Sequence, residues 1–200
     1  MPTHESHAQT ISAYSERAQE YSTALGHLES TKEPDRKLIR SWSNSVSGSI
    51  LDLGCEPGHW THFIALLGKS VKGIDPTSRF IEIASKRYPH EQFEVGTSAD
   101  VRNEYGGVLA WYSLIHCSPD ELLQELKIIW SAIQANGTLL LGYFRGDSLE
   151  IFDHAITPAW YWPDSFITEI LSQAGFYILH QEQRADEGAR PHGAIIATKT

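Results

Sequence analysis

The stretch that decides the fold is Ile50-Leu51-Asp52-Leu53-Gly54-Cys55-Glu56-Pro57-Gly58. Its first four residues form an apolar run of strand length, and the glycines and proline after them predict a sharp turn. Residues 60–67 then have the composition of a helix. A glycine-rich turn between a strand and a helix lets the backbone approach a ligand closely, and the free N–H groups of the helix can bind an anion. The stretch therefore predicts a strand, a ligand-binding loop and a helix.

The alternation of strand and helix continues from this stretch to the end of the chain. Strands are predicted at residues 71–75, 93–96, 107–112, 138–144, 177–183 and 193–198, and helices at residues 78–88, 119–133 and 163–174. Strands that alternate with helices indicate a parallel sheet covered by helices on both faces. The last two strands are joined by the polar loop 184–192, which is too short for a helix, so they form an antiparallel hairpin. The pattern predicts an α/β fold with a doubly wound sheet.

The first 48 residues are more polar than the rest of the chain. They contain one run of apolar residues at helical spacing, which predicts a lone amphipathic helix with a thin apolar stripe. The stripe consists of Ile11, Tyr14, Ala18, Tyr21 and Leu25. A chain of 200 residues fits one domain. We therefore expect a single domain over residues 1–200, in which residues 1–48 form a helical lid and residues 49–200 form the core.

The charge of the chain limits the partners that it could bind. Sixteen Lys and Arg residues against 25 Asp and Glu residues give a net charge of −9, which disfavours nucleic acids and anionic membranes. No apolar stretch approaches the roughly 18 residues of a membrane-spanning helix, and the first residues lack the pattern of a signal peptide. Two cysteines are too few for a disulfide framework. We expect a cytoplasmic monomer or homodimer whose partner is a small molecule.

Asp75 ends the second predicted strand, 17 residues after Gly58. An acidic side chain at that strand end can accept hydrogen bonds from both hydroxyls of a ribose, so we predict a nucleoside site where the first two strands end. The loop lacks the third glycine of a dinucleotide fingerprint and the Gly-Lys-Ser/Thr of a phosphate-binding loop. An oxidoreductase that binds NAD therefore stays as the less favoured alternative.

Five segments together resemble a known family. The segments ILDLGCEPG, VKGID, EVGTSAD, AWYSLIH and ANGTLLLGYF, in this order and spacing, are similar to the motifs of class I S-adenosylmethionine-dependent methyltransferases. The likeness is strongest to small bacterial enzymes of the ubiquinone and trans-aconitate methyltransferase type. It implies a Rossmann-like, seven-stranded sheet of order 3-2-1-4-5-7-6. It also implies in-line transfer of a methyl group to a small-molecule acceptor, with S-adenosyl-L-methionine as the cofactor and S-adenosyl-L-homocysteine as the product.

The resemblance gives expected roles to residues at the carboxyl ends of the strands. The residues expected to bind the cofactor are Gly54, Cys55, Glu56, Gly58, Trp60, Asp75, Pro76, Thr97, Ser98 and, from the lid, Tyr21. The residues expected on the acceptor side are Tyr14, Tyr112, Ser113, Arg145 and Trp160. His116 follows the fourth strand, which neighbours the first, and is the candidate general base or substrate-orienting donor. A hydroxyl or amine acceptor requires such a base, whereas a carboxylate acceptor requires a cation such as Arg145.

Two residues depart from the family pattern. Glu56 stands where the family has its middle glycine, which indicates a tight backbone or a positive φ, and we expect it to weaken cofactor binding. This keeps open a second alternative, a catalytically weak binding or interaction module. Thr97 stands where an adenine-contacting acid is common. His59 and His62 lie near the loop, but the chain has no paired C-x-x-C spacing, so we expect no metal site.

Overall fold

The computed structural model describes residues 4–200, with side chains from Ala8 onward. The helices within these residues are α1 His4–Ala24, α2 Glu33–Ser45, α3 His59–Leu66, α4 Ser78–Arg87, α5 Pro119–Ala132 and α6 Asp164–Gln173. The strands are β1 Ile50–Leu53, β2 Val71–Asp75, β3 Gln92–Val95, β4 Tyr105–Trp111, β5 Ile133–Phe144, β6 Glu150–Phe152, β7 Ala159–Tyr161, β8 Phe176–Arg184 and β9 His192–Lys199. Short 3-10 turns lie at Leu28–Ser30 and Ser98–Asp100.

Seven of the strands form one sheet in the order β3-β2-β1-β4-β5-β9-β8. The strands β1 to β5 are parallel to one another, and β9 runs antiparallel to both β5 and β8. Because β8 and β9 are the sixth and seventh strands of this sheet along the chain, the order is 3-2-1-4-5-7-6. The fold class, the strand order and the terminal hairpin predicted from the sequence are confirmed. The strands β6 and β7, after β5, pair as a separate hairpin that the sequence pattern did not reveal.

Two layers of apolar side chains cover the two faces of the sheet. Successive residues of a strand point to opposite faces. Accordingly, Val108 and Leu139 pack into one layer, and their neighbours Leu109 and Leu140 pack into the other. The helices α5 and α6 complete the first layer, and α2 and α3 complete the second. A capping box at Ser118 fixes the start of α5.

The first 48 residues hold a second helix, so the expectation of one lone helix there is wrong. The helix α2 packs Ile39, Trp42 and Val46 into the core. These residues do have helical spacing. The segment as a whole is rich in charged residues, however, so its average polarity does not indicate a buried helix. The strand β5 is also longer than predicted. It begins at Ile133, and Asn136, with a φ of +62°, lies within it instead of in a turn before it.

The strand order places the carboxyl ends of β1, β2 and β4 at one edge of the sheet, where such folds bind ligands. The helix α1 packs against α4 and reaches this edge through the side chains of Tyr14 and Tyr21. Among the described residues, no helix is long and apolar enough to cross a membrane.

Candidate functional site

The loop after β1 is pinned to the end of β2. The backbone N–H groups of Gly54 and Cys55 both donate to the Ile74 carbonyl oxygen, at 2.8 and 3.0 Å. Gly54 has a φ of +73°, and a Cβ atom there would lie 2.4 Å from the Ser113 Cβ atom, so only glycine fits. Ser113 Oγ is buried and has no hydrogen-bond partner among the described residues. It is therefore a polar atom that a bound ligand could satisfy.

Glu56 links this loop to the carboxylate of Asp75. Its φ of +50° lies in the left-handed region, in agreement with a position where glycine is usual. Its N–H group donates to Asp75 Oδ2 at 3.0 Å, and the Thr77 N–H group donates to Asp75 Oδ1 at 2.8 Å. Asp75 is only 5% exposed. The two backbone groups hold both carboxylate oxygens at the end of β2, and each oxygen keeps a lone pair for a further donor.

Three carboxyl groups are buried around the loop. Burial raises the pKa of Glu56 to about 8 and that of Asp52 to about 7, and it raises the pKa of Asp75 as well. The Tyr21 hydroxyl donates to Glu56 Oε1 at 2.7 Å, and the Thr61 hydroxyl donates to Asp52 Oδ2 at 2.6 Å. No Lys or Arg side chain in the described part of the chain forms an ion pair with any of the three. A cationic ligand would favour their ionised forms.

Tyr14 and Tyr21 bring α1 to the same edge of the sheet. Both rings pack on Phe80, with ring centroids 5.9 and 5.6 Å apart. The Tyr14 hydroxyl lies 2.9 Å from His116 Nε2. His116 Nδ1 lies 2.9 Å from the Pro158 carbonyl oxygen, which can only accept, so Nδ1 carries the proton and Nε2 accepts from Tyr14. Because burial lowers the pKa of His116, its ring is neutral near pH 7.

These groups enclose a cavity of about 150 Å³, which we call the inner cavity. The expected site residues that line it are Tyr14, Gly54, Glu56, Asp75, Pro76, Thr97, Ser98, Tyr112, Ser113 and His116. The structure thus gathers residues from α1 and from the loops after four strands. Sequence reasoning missed Phe80, Glu121 and Glu125 on the same wall. Glu125 accepts a hydrogen bond from the Ser98 hydroxyl at 2.5 Å, and no local motif marks either glutamate as a site residue.

Three residues of the expected cofactor set lie behind the loop and not on the wall of the inner cavity. Cys55 is buried against β2, where a Cβ atom on Gly73 would lie 2.9 Å from its sulfur. Gly58, with a φ of +85°, caps the start of α3. Trp60 packs in the core beside Trp111, with ring centroids 6.2 Å apart. Their contacts support the loop from the side of the hydrophobic core.

Tyr21, Arg145 and Trp160 also do not line the inner cavity. Tyr21 reaches it through its hydrogen bond to Glu56. Arg145 donates from Nε to Asp164 Oδ2 at 2.8 Å, which ties the end of β5 to α6. The backbone N–H group of Trp160 donates to the Ile115 carbonyl oxygen at 2.9 Å and so anchors β7 beside the turn that carries His116.

The other histidines near the loop are engaged in packing. His62 Nδ1 lies 3.1 Å from Glu91 Oε1, and its ring stacks on Tyr88. His59 is 4% exposed and packs beside Trp60. Within residues 4–200, no group of three or more His, Cys, Asp and Glu side chains is arranged to hold a metal ion.

A second cavity, of about 720 Å³, was missed by sequence reasoning, and we call it the outer cavity. Tyr112 lines both cavities. The residues around the outer cavity come from the start of α2, the ends of β4 and β5, β7, and the segment from the end of β8 to the start of β9. They include Lys32, Asp35, Tyr112, Phe144, Tyr161, Arg184, Asp186, Arg190 and His192. The dense aromatic residues at 111–112 and 160–162 were a signal for it in the sequence.

A comparison with protein families identifies the core of the chain. The family described as a methyltransferase domain matches residues 50–137. This stretch is similar to the methyltransferase domain family. It runs from β1 into β5 and contains the loop after β1, Asp75 and His116, so the resemblance indicated by the motifs is confirmed for it.

Individual relatives of the methyltransferase domain are distant. An uncharacterized methyltransferase of Bacillus cereus is 28% identical over 93 residues, which are 42% of this chain and 41% of that relative. The chain therefore matches less than half of that relative's length.

Solved structures extend the likeness to the whole fold. The 1,6-didemethyltoxoflavin-N1-methyltransferase of Burkholderia thailandensis, solved with 1,6-didemethyltoxoflavin and S-adenosylhomocysteine, has a TM-score of 0.83 at 18% identity and covers 100% of this chain and 91% of its own. Magnesium protoporphyrin IX methyltransferase of Synechocystis, solved with S-adenosylmethionine, has a TM-score of 0.70 at 17% identity over 84% of this chain and 79% of its own. At these identities the likeness establishes the fold.

Proposed function

We propose that this chain transfers a methyl group from S-adenosylmethionine to a small-molecule acceptor, with the cofactor in the inner cavity. One observation carries the proposal. The strained loop after β1 and the carboxylate of Asp75 meet at the ends of neighbouring parallel strands, around a buried Ser113 Oγ that has no partner among the described residues. The relatives that were solved with S-adenosylmethionine or S-adenosylhomocysteine support the choice of cofactor.

The residues of the inner cavity fit the parts of this cofactor. Asp75 keeps lone pairs for the two ribose hydroxyls, and Ser98 at the end of β3 borders the adenine. Gly54 lets Ser113 lie close to the loop, where Ser113 Oγ offers a hydrogen-bond partner to the methionine part of the cofactor. Glu56 in its ionised form attracts the sulfonium or the amino group, because no Lys or Arg of the described residues neutralises it.

The cofactor, when bound, supplies a methyl group on a positively charged sulfur that is already activated for displacement. The chain then has to position the acceptor and exclude water, and orientation alone contributes about 7–11 kcal/mol in well-aligned reactions. His116 Nε2 accepts the proton of a hydroxyl or amine acceptor, since Nδ1 is held as a donor to Pro158. In this structure the Tyr14 hydroxyl donates to Nε2. The reacting group of the acceptor would therefore replace that hydroxyl as the partner of Nε2.

The helix α1 acts as a lid in this proposal. The inner cavity holds about 150 Å³, whereas small-molecule sites measure about 300–1,000 Å³. The helix therefore moves away from Phe80 to admit the cofactor, and it covers the bound cofactor from a position farther from Phe80 than the one in this structure. Within the expected lid segment 1–48 of a single domain over residues 1–200, α1 forms the lid, whereas α2 packs in the core. A net charge of −9 supports a chain that binds neither nucleic acid nor membranes. Two buried free thiols support a cytoplasmic location, and a monomer or homodimer completes the proposal.

Binding of S-adenosylhomocysteine tests the proposal. A ligand at 100 times its dissociation constant stabilises a protein by about 2.7 kcal/mol, which raises the Tm of a chain of this size by about 5–10 °C. We expect this shift with S-adenosylhomocysteine and none with NAD. The Asp75→Ala variant should reduce the shift to about half or less at the same ligand concentration, and Asp147→Ala, whose side chain is 97% exposed, should keep it.

The alternatives give different results in the same assay. Stabilisation by NAD and not by S-adenosylhomocysteine would support the oxidoreductase. Binding of S-adenosylmethionine without methyl transfer to any component of a metabolite extract would support the binding module.

A further inference from the structure

The outer cavity adjoins the inner cavity and differs from it in chemistry. Its volume of about 720 Å³ falls within the range of about 300–1,000 Å³ for small-molecule sites. Tyr112 lines both cavities and has a φ of +58°, a strained backbone for a residue other than glycine. Such strain concentrates at binding and catalytic sites, where the surrounding structure holds it in place. A ligand in the outer cavity therefore touches the same side chain as a ligand in the inner cavity.

We propose that the outer cavity binds the methyl acceptor, and that the acceptor is a planar aromatic molecule with an anionic group. The role of acceptor rests on the proposed function, whereas the aromatic anion is argued from the cavity alone. Transfer forms a bond between the acceptor's nucleophilic atom and the methyl carbon. It breaks the bond from carbon to sulfur, whose electron pair stays on the sulfur. The reacting atom of the acceptor extends past Tyr112 into the inner cavity, where a proton on that atom passes to His116.

The charges around the outer cavity leave one cation without a carboxylate. Lys32 and Arg184 donate to Asp186 at 2.6 and 2.7 Å, and Arg184 also donates to Asp35 at 2.6 Å. Arg190 forms no ion pair with a described residue, and its guanidinium reaches only a backbone carbonyl oxygen, at 3.5 Å. Three basic and two acidic side chains give this cavity a positive charge in a chain of net charge −9. This balance favours an anionic ligand.

Aromatic rings hold Arg190 in position. Its guanidinium carbon lies 4.7 Å from the ring centroid of Phe152 and 5.9 Å from that of Phe144. Tyr161 stacks on Phe152 with centroids 4.2 Å apart, and Tyr112 lies 4.9 Å from Phe144. A guanidinium over ring faces keeps its N–H groups available for a carboxylate. The rings also offer faces and edges to a planar ligand, which gains more from them than an aliphatic one does.

His192 adds a polar group that the fold leaves unused. It is 2% exposed and lines the outer cavity. Its Nδ1 pairs with the Tyr112 hydroxyl, while its Nε2 has no partner among the described residues. Burial lowers the pKa of His192 to about 4, so the ring is neutral near pH 7. A polar ring atom of an aromatic ligand would satisfy Nε2, which a purely apolar ligand could not do.

The probe for this proposal is 2-naphthoate, which has a planar ring system and one carboxylate. Calorimetric titrations of the full chain compare it with the neutral 2-naphthamide and with cyclohexanecarboxylate. The variant Arg190→Gln removes the free cation. The matched control is Arg40→Gln, because Arg40 also lies over a phenylalanine ring, 5.2 Å from the Phe63 centroid, outside this cavity. We expect 2-naphthoate to bind Arg190→Gln about tenfold more weakly than the unaltered chain, and to bind Arg40→Gln with the same affinity as the unaltered chain. We expect 2-naphthamide and cyclohexanecarboxylate to bind the unaltered chain about tenfold more weakly than 2-naphthoate does.

Equal binding of 2-naphthoate to the unaltered chain and to Arg190→Gln would overturn the proposal, and so would tighter binding of cyclohexanecarboxylate. S-adenosylhomocysteine is titrated into the same preparations. If it binds and 2-naphthoate does not, the assignment of the outer cavity fails and the proposed function stands. If 2-naphthoate binds with the expected dependence on Arg190 and S-adenosylhomocysteine does not bind, the proposed function fails and the aromatic anion site stands.

Discussion

The two cavities that meet at Tyr112 differ in size, cover and charge. The inner cavity, of about 150 Å³, lies under α1 and contains the carboxyl groups of Glu56 and Asp75. The outer cavity, of about 720 Å³, has aromatic rings and the free cation of Arg190. Under the two proposals, the acidic groups of the inner cavity would disfavour an anionic acceptor, and the cation of the outer cavity would disfavour a cationic cofactor, because like charges repel at short range. The contrast indicates that specificity for the two ligands comes from separate parts of the fold.

The largest expected effect concerns His116, which lies on the inner side of this division. The variant His116→Ala should lower turnover by about 10²–10⁴-fold if Nε2 removes a proton from the acceptor. The affinity for S-adenosylhomocysteine should change far less. The assay follows label from S-adenosylmethionine into the acceptor recovered from a metabolite extract. Because burial lowers the pKa of His116, turnover should fall only below pH 6.5, where the base becomes protonated.

The control for this variant is His154→Ala. The His154 ring lies 5.4 Å from that of His116 but does not line the inner cavity. It should change turnover much less. A loss of less than about tenfold in His116→Ala would show that His116 only orients the acceptor.

The next largest effect separates the two cavities by their ligands. Asp75→Ala should weaken S-adenosylhomocysteine by about 10- to 100-fold, because it removes a charged acceptor from the ribose, worth about 1.5–3 kcal/mol. Binding of 2-naphthoate should not change. Asp75 also holds the N–H groups of Glu56 and Thr77, so Asp75→Asn, which keeps one acceptor oxygen, is the conservative partner variant. Calorimetry that finds both ligands weakened alike would show that the cavities are not independent.

The sequence predicted the inner cavity better than the outer one for a physical reason. The inner cavity is built from the ends of neighbouring parallel strands, and a strand followed by a glycine-rich turn is visible in a short stretch such as 50–58. The outer cavity joins Lys32, Tyr112 and Arg190, which no local pattern connects. Aromatic residues are dense in the sequence at 111–112 and 160–162, but only the tertiary structure shows which ring faces which cation.

The same reason explains why some expected site residues lie off the wall of the inner cavity. Cys55 stands in the decisive loop and Trp60 in the helix after it, yet both side chains are buried in the core. Arg145 follows β5, as expected of a residue on the acceptor side, but Asp164 lies close enough to bind it. A motif places a residue near a site, whereas the direction of its side chain depends on partners that are distant in sequence.

Glu56 provides a test of how charge shapes the inner cavity. Its pKa of about 8 lies above the ordinary value of 4.5, so folding favours the neutral acid. This group therefore stabilises the fold fully below pH 4.5, and the contribution is lost as pH rises through about 8. A bound sulfonium favours the ionised form instead. The preference for S-adenosylmethionine over S-adenosylhomocysteine should thus increase by about tenfold from pH 6 to pH 9, and Glu56→Gln should abolish the increase.

Glu56→Gly separates the charge from the backbone strain at the same position. It removes the carboxylate and also relieves the φ of +50°, which costs roughly 1–2 kcal/mol in a residue other than glycine. Because this strain is present without ligand, we expect Glu56→Gly to raise the free energy of unfolding by up to about 1–2 kcal/mol and to change the affinity for S-adenosylhomocysteine, which has no sulfonium, by less than about twofold. If both variants at Glu56 lose affinity for S-adenosylhomocysteine, the carboxylate is a direct contact of the amino group and the strain is a minor effect.

The smallest expected effect concerns the lid. Tyr21→Phe removes the hydroxyl that donates to Glu56 Oε1 at 2.7 Å, while the ring keeps its packing on Phe80. Loss of one hydrogen bond to a carboxyl group should weaken S-adenosylhomocysteine by about two- to tenfold and speed its release, because the closed position of α1 is less favourable. That hydrogen bond also lowers the pKa of Glu56, so the pH at which the preference for S-adenosylmethionine increases should move upward.

Stopped-flow release and calorimetry at several pH values measure both changes, with Tyr177→Phe, 63% exposed on β8, as the control. A faster release without the shift in pH would mean that Tyr21 holds the lid but does not control Glu56. An unchanged rate of release would mean that α1 does not gate the inner cavity. The fact that α1 covers the inner cavity and not the outer one would then have no effect on the rate of ligand release.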